Sequence, residues 1–310
     1  MKTVILRSPA LQGATASDLS AAVQYLIGVD GGGTGTRVRL SDRAGMLLGQ
    51  GESGPSALGQ GAEQAWRHIQ QAVQAAAAQA GLAELDLSRC AIGLGLSGTG
   101  VEAQVEAFSA LQPGYALVAL DNDGFTTLLG AHGGEPGAVV AAGTGTIGEG
   151  LRRNGERAYI SGWGWVCGDE GSGAWLGLKA MRHAQQALDG RAEPGALARA
   201  VWAVAGQDRA TILAWCAAAG QHGYASLAPL VFDHAPNDPV AAGFVADAVS
   251  ELERLAHALD PQSELPLALC GSIAVRLSSE FSGTIRARCV SPRGDSAEGA
   301  LHLVRSALQR

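Results

Sequence analysis

Lysine is almost missing from this chain. Lys2 and Lys179 are its only two, and neither follows a GxxxxG stretch, which excludes a Walker-type phosphate loop. The five cysteines, Cys90, Cys167, Cys216, Cys270 and Cys289, are odd in number, far apart, and free of any CxxC or zinc-like Cys/His spacing. Neither a disulfide framework nor structural zinc is expected, and reduced thiols of a cytoplasmic protein fit best. No apolar run reaches the roughly 18 residues of a membrane helix. The apolar stretch within residues 1–24 is too short, and too interrupted by Ser, Gln and Pro, for a secretory signal. Excess positive charge is lacking as well: a formal net charge of −7 speaks against gripping nucleic acid or an anionic membrane surface. No Ser/His/Asp arrangement recommends a hydrolase.

What is present is an alternation of β-like runs and helical stretches, the signature of an α/β fold, in 310 residues that exceed one ordinary compact core. Residues 1–24 read as a loose leader, with a partial helix over Ser17 to Gln24. Leu26 to Leu40 and an arm from Met46 to Glu52 read as paired strands around the turn Asp42 to Gly45. Gln60 to Gln79 places Trp66, Ile69 and Val73 on one helical face, with Gly81 where a C-cap belongs. Cys90 to Leu96 and Ala116 to Leu120 are buried strands. The grammar restarts at Gly137, so the chain looks duplicated. Ala-rich helices fill about 170–260, strand signals return at Leu267 to Cys270 and Ile285 to Val290, and a helix closes the chain. The expected division is 25–125 for the first lobe and 126–310 for the second, with the closing helix over 296–309 free to pack back on the first.

The densest chemistry is GVDGGGTGTRVRL, Gly28 to Leu40. Glycines 31, 32 and 33 remove every Cβ from a strand-to-strand turn, so backbone N–H groups can cradle phosphate oxygens, while Thr34 and Thr36 add hydroxyls. Asp30 beside them suits hydrated magnesium. Taken alone, the turn serves a tight hairpin equally well. A dinucleotide fold is disfavoured, because a GxGxxG turn opens a helix and here Val38 and Leu40 continue a strand. The second turn, Gly143-Thr144-Gly145-Thr146, repeats the pattern, and two such hairpins facing each other across a cleft would clamp a polyphosphate from both sides.

With both turns in view, the chain resembles the sugar-kinase branch of the superfamily that holds actin, hexokinase and the heat-shock ATPases, with duplicated ribonuclease H-like domains of the BadF/BadG ATPase type. Within that branch it is most similar to the N-acetylglucosamine kinase family and the bacterial glucosamine kinases. SGWGWVCGDEGSGAWLG, Ser161 to Gly177, carries the likeness most specifically; LDNDGFTTLLGAHGG, Leu120 to Gly134, and LCGSIA, Leu269 to Ala274, add to it.

The resemblance implies an ATP-dependent transfer to the 6-hydroxyl of an amino sugar, with Mg²⁺ as cofactor. N-acetylglucosamine is preferred over glucosamine. Asp123, at a strand-to-helix junction, becomes the base that accepts the hydroxyl proton; its structural alternative is an N-cap. Asp121 is the second candidate for the base. Gly271 and Ser272 would lie under adenosine. Ser97, Thr99, Trp163, Gly164 and Asp169 would meet the sugar, Asn122 would orient a sugar hydroxyl or the loop, and Glu170 would be a supporting partner. Trp163, flanked by glycines, reads as a sugar wall, Trp165 and Trp175 as core, and His132 as helix surface or packing. Family members commonly show Asn where this chain has Ala57, so an amide contact to sugar hydroxyls would be missing. An ATPase switch of the dehydratase-activator type is the reading from another class, disfavoured because the cysteines lack cluster spacing. The expected partners are the small-molecule sugar and ATP; a homodimer is compatible.

Overall fold

The computed structural model describes residues 2–309. Six strands, β1 (Val4–Arg7), β2 (Tyr25–Gly31), β3 (Thr36–Asp42), β4 (Leu47–Ser53), β5 (Cys90–Leu96) and β6 (Leu117–Asp121), form one sheet in the order β1-β6-β5-β2-β3-β4. Five more, β7 (Gly137–Ala142), β8 (Thr146–Leu151), β9 (Arg157–Ser161), β10 (Leu267–Cys270) and β11 (Cys289–Val290), form a second in the order β11-β10-β7-β8-β9. Without β1, the two orders are the same: fifth, fourth, first, second, third strand of each set. That repetition is the duplication expected from the sequence, seen as topology.

Backbone contacts divide the chain into two compact units. One runs to Gly137 and takes up the chain again from Ser291; the other is Ala138–Val290. The division therefore falls twelve residues beyond the expected 125/126, because the helix Asp123–His132 stays with the first sheet. Among the described residues, no helix is long and apolar enough to cross a membrane.

Two expectations need correction. The leader is not loose: β1 pairs antiparallel with β6, Val4 opposite Leu120 and Arg7 opposite Leu117. A helix follows at Ala16–Ala22, where Thr15 and Asp18 form a capping box. The strand signal at Ile285 is a helix, Gly283–Arg288, and only Cys289 and Val290 pair in the sheet. Ile285 is the buried residue of that short helix, and a short apolar run does not distinguish such a helix from a strand.

In the first unit β5 and β6 run parallel to β2 and are buried along their whole length, as the unbroken apolar text of a parallel sheet requires. The helix Ala62–Gln79 covers one face with Trp66, Ile69 and Val73, and the Trp66 ring stacks on Phe108 at 4.4 Å. The other face takes the closing helix, Ser296–Leu308, whose N-cap Asp295 also holds Arg39 at 2.6 Å. This helix lies hard against Asp123–His132. A Cβ on Gly299 would stand 1.7 Å from the Thr126 carbonyl oxygen, and the Thr126 and Ser296 hydroxyls are 2.8 Å apart. Gly299→Ala is therefore expected to push the two helices apart and cost about 1–3 kcal/mol. Thermal melting checks it, with a fall of roughly 2–4 °C per kcal/mol.

In the second unit, the helices between β9 and β10 enclose a separate core around Leu176, Val201, Leu227, Leu252 and Leu267. One of them, Arg209–Ala225, is kinked at Gly220, whose backbone (φ 54°, ψ −171°) is not helical.

Candidate active site

β2 ends at Asp30 and Gly31, and the antiparallel register sets Asp30 opposite Arg37 on β3. The guanidinium donates to Asp30 Oδ2 from Nε at 3.1 Å and from Nη2 at 2.5 Å. Between them the turn closes through the Gly32 N–H and the Gly35 carbonyl, 3.0 Å apart. Gly33 and Thr34 are exposed, and no atom comes within 4 Å of a Cβ built on Gly32. Gly31 is different: its missing Cβ makes room for Ser56 and Leu96. Gln60 holds the turn from outside, donating to the Gly33 carbonyl at 3.1 Å. The Ser56 and Ala57 N–H groups both donate to the Gly32 carbonyl.

The two GTGT stretches behave as a pair. Thr34 and Thr144 are exposed at their tips, while Thr36 and Thr146 are buried as their strands begin. The Thr36 hydroxyl is bonded to the Gly54 carbonyl and to Ser56 Oγ, each at 2.7 Å, so it does not serve as the expected phosphate donor. Thr146 Oγ1 is buried and has no partner among the described residues, an arrangement that costs free energy unless something else bonds it. In the second turn the Gly143 N–H meets the Gly145 carbonyl at 2.9 Å. The carbonyls of Gly143 and Thr144 accept from the Gly173 and Ala174 N–H groups at the start of the helix Gly173–Leu188. The turn is thus fastened to a helix N-terminus.

Asp169 fastens its other side. It is 5% exposed, sits at φ 56°, and accepts from Gln221 Nε2 at 3.1 Å. Burial pushes its pKa up, the Thr146 and Gly164 N–H groups pull it down, and the neighbouring Glu170 raises it. A Cβ on Gly145 would lie 2.6 Å from its Oδ2. The carboxylate thus ties the second turn to the Gly162–Gly164 loop, a structural task beside the sugar-hydroxyl acceptor role expected of it.

Left-handed backbone is concentrated over residues 161–171. Ser161, Gly162, Gly164, Asp169 and Gly171 all have φ between 56° and 85°. The loop presents Trp163 at 83% exposure, so this indole is not core. Trp165, by contrast, packs on Tyr224 with ring centroids 5.5 Å apart, and Trp175 lies under the Lys179 ammonium at 4.3 Å. Gly271 and Ser272 are exposed at the end of β10, where Gly271 turns the chain at φ 80°.

The junction after β6 separates the roles of three adjacent residues. Asn122 is the N-cap, its Oδ1 accepting the Phe125 N–H at 2.7 Å. Its amide nitrogen lies 3.3 Å from Asp121 Oδ1, so the side chain orients the loop, one of the two roles expected of it. Asp121 is 2% exposed and accepts from the Asn122 N–H at 2.9 Å and from the Thr3 hydroxyl at 2.7 Å. It is a structural carboxylate. Asp123 is the first residue of the helix and caps nothing beyond its neighbour: its Oδ1 accepts the Gly124 N–H at 3.0 Å. Burial first, and the Asp30 charge second, push its pKa up to about 6. Close by, the Ser97 N–H donates to the Gly31 carbonyl at 3.0 Å, drawing the ends of β5 and β2 together. His132 is buried in packing against Gly137.

A carboxylate with a raised pKa at a helix start, an ion-paired carboxylate beside it, and two glycine/threonine hairpins in a repeated five-strand topology define a duplicated actin-like phosphotransferase-type ATPase. The chain belongs to the BadF/BadG/BcrA/BcrD ATPase family, whose model matches residues 27–289. It is 32% identical over 280 residues to the glucosamine kinase of Vibrio cholerae, covering 90% of this chain and 95% of that one. A solved structure from Chromobacterium violaceum, assigned as an N-acetylglucosamine kinase, superposes with a TM-score of 0.88 at 47% identity, over 91% of this chain and 99% of that one. A corresponding protein of Porphyromonas gingivalis, at 20% identity and a TM-score of 0.65, shares the fold over 91% of this chain and 98% of its own.

Arg37, Gln60, Gln221 and Thr3 were not among the site residues expected from the sequence. Arg37 alone had a local signal, since it stands outward on a strand that alternates. The other three act across 27, 52 and 118 residues of chain.

Proposed function

We propose that this protein is an ATP-dependent amino-sugar kinase that phosphorylates the 6-hydroxyl, with N-acetylglucosamine the first substrate to test and glucosamine the second. The observation that carries the reading is the division of labour after β6. Asn122 takes the cap and Asp121 the structural bonds, which leaves Asp123 as a carboxylate of raised pKa without a structural task of its own. The names of the relatives, glucosamine kinase and N-acetylglucosamine kinase, supply the substrate class.

In this reading Asp123 accepts the proton of the acceptor hydroxyl, with Oδ1 held by Gly124 and Oδ2 taking the proton. Gly32, Gly33 and Thr34 bind phosphate oxygens, as do Gly143, Thr144 and Thr146; Gly271 and Ser272 border the adenosine. Ser97, Trp163 and Gly164 contact the sugar, and Asp169 and Gln221 keep the second turn in place. Asp30 fits a hydrated divalent ion: both Arg37 donors go to Oδ2, so Oδ1 is not used by that pair. Mg²⁺ needs only one or two carboxylates where phosphates and water complete its shell. When bound, it neutralises charge on the transferred phosphoryl group.

Coupled ADP release across N-acetylglucosamine, glucosamine, N-acetylmannosamine and glucose tests the reading. Turnover with none of the four sugars would overturn it. Trp163→Ala is expected to raise KM for the acetylated sugar by about ten- to hundredfold, the worth of one lost aromatic face, with KM for ATP little changed. Parallel rises in both constants would remove Trp163 from the sugar site.

A further inference from the structure

The strand β1 lies outside the family match, which begins at residue 27, and it is the one strand without a counterpart in the second sheet. Its register with β6, Val4 opposite Leu120, brings Thr3 to Asp121. From there an unbroken relay reaches the catalytic junction. The Thr3 hydroxyl donates to Asp121 Oδ2 at 2.7 Å, Asp121 Oδ1 accepts from the Asn122 backbone at 2.9 Å, and Asn122 Oδ1 accepts the Phe125 N–H at 2.7 Å. Asp123 stands between the last two members.

We propose that Thr3 is a positioning residue for the phosphoryl-transfer reaction, holding the helix start that presents Asp123 through Asp121 and Asn122. The proposal rests on the reading of Asp123 as the base. The hydroxyl-to-carboxylate bond is charge-assisted and short, roughly twice as strong as a neutral one. The surroundings make it matter, for a pocket of about 390 Å³ lined by Lys2, Val4, Thr99 and Leu120 backs Asp121 on this side. The Thr3 hydroxyl is therefore one of the directional bonds that set the angle of the Asp121 carboxylate. When it is lost, Oδ2 gives up a charge-assisted bond, the carboxylate shifts toward its remaining partners, and the Asn122 cap loosens at the residue before the base.

The test uses the full chain with Thr3→Val, which keeps the shape and removes the hydroxyl, and Thr3→Ser, which keeps the hydroxyl. Asp123→Asn is measured alongside. Thr3→Val is expected to lower kcat about five- to tenfold, with KM for ATP and sugar within about twofold. The Phe125 amide should exchange hydrogen faster by a similar factor, while the core of the helix Ala62–Gln79 exchanges as before. Thr3→Ser should restore both. If Asp123→Asn is inactive and Thr3→Val is as fast as the native protein, the inference is overturned and the function stands. If Asp123→Asn remains active, the function reading fails and takes the inference with it. A loss of kcat that Thr3→Ser does not restore, or that leaves Phe125 exchange unchanged, overturns the relay. A Thr3→Val chain that does not fold overturns it too, since the hydroxyl would then serve the whole unit.

Discussion

Asp123→Asn is expected to lower kcat by about two to four orders of magnitude while leaving KM for ATP nearly unchanged, the range typical of a positioned acid–base group. The loose transition state of phosphoryl transfer places the loss toward the lower end, because the proton moves late. The structure makes this substitution cleaner than an Asp at a helix start usually allows. Since Asn122 is the cap, the change removes a charge and a proton acceptor but no capping bond. In the native enzyme kcat should climb with pH through about 6, where Asp123 ionises, and that limb should be absent from any residual activity of the variant. Stability should run the other way. A carboxyl whose folded pKa lies above its unfolded value of 3.8 favours the folded state at low pH, and that advantage is lost as pH rises to about 6. Asp123→Asn should therefore gain stability relative to the native chain between pH 4 and pH 8, by on the order of 1–3 kcal/mol. Melting curves at the two pH values measure it. A variant that is inactive but shows no such pH-dependent gain would mean that Asp123 is not held in the unfavourable setting described here.

The parts of this site that could be read from the sequence are those whose signal is local. The two GTGT hairpins, the strand ending in Asp121-Asn122-Asp123 and the glycine-flanked Trp163 each announce themselves within about ten residues. The position of Asp123 was legible, but its freedom from the capping role was not, because Asp and Asn cap equally well and the choice between neighbours is made by backbone geometry. Thr36 shows the opposite failure. Its residue type suits a ligand, yet the fold turns it inward onto Ser56. Asp169 carries a structural bond that its own stretch does not announce, from Gln221. Gln221 reaches Asp169 from a helix kinked at Gly220, and neither the kink nor the partner is written in the periodicity around it. The leader was misread for a related reason: four residues of edge strand carry almost no pattern, and only pairing with β6 makes them a strand.

Asp30→Asn should lower turnover and raise the Mg²⁺ concentration needed for half-maximal activity by roughly tenfold, because one full negative charge leaves a site proposed to face hydrated metal and phosphates. Sugar binding measured without nucleotide should change little. A second consequence follows from the electrostatics of its neighbour. The Asp30 charge is the second cause of the raised Asp123 pKa, after burial, so its removal should move the acid limb of kcat below about 6 without abolishing it. The competing account is that Asp30 serves only its ion pair with Arg37, an exposed guanidinium across the hairpin. Exposed pairs of that kind contribute at most about 1 kcal/mol. Arg37→Gln separates the two accounts, since it breaks the same pair and keeps the Asp30 charge. If the pair were the whole story, the two variants would share one phenotype; a metal role predicts that Arg37→Gln keeps the native Mg²⁺ dependence while Asp30→Asn does not. Matching Mg²⁺ curves for the two variants would remove Asp30 from the metal site and leave it as a strand-end ion pair that tunes the base.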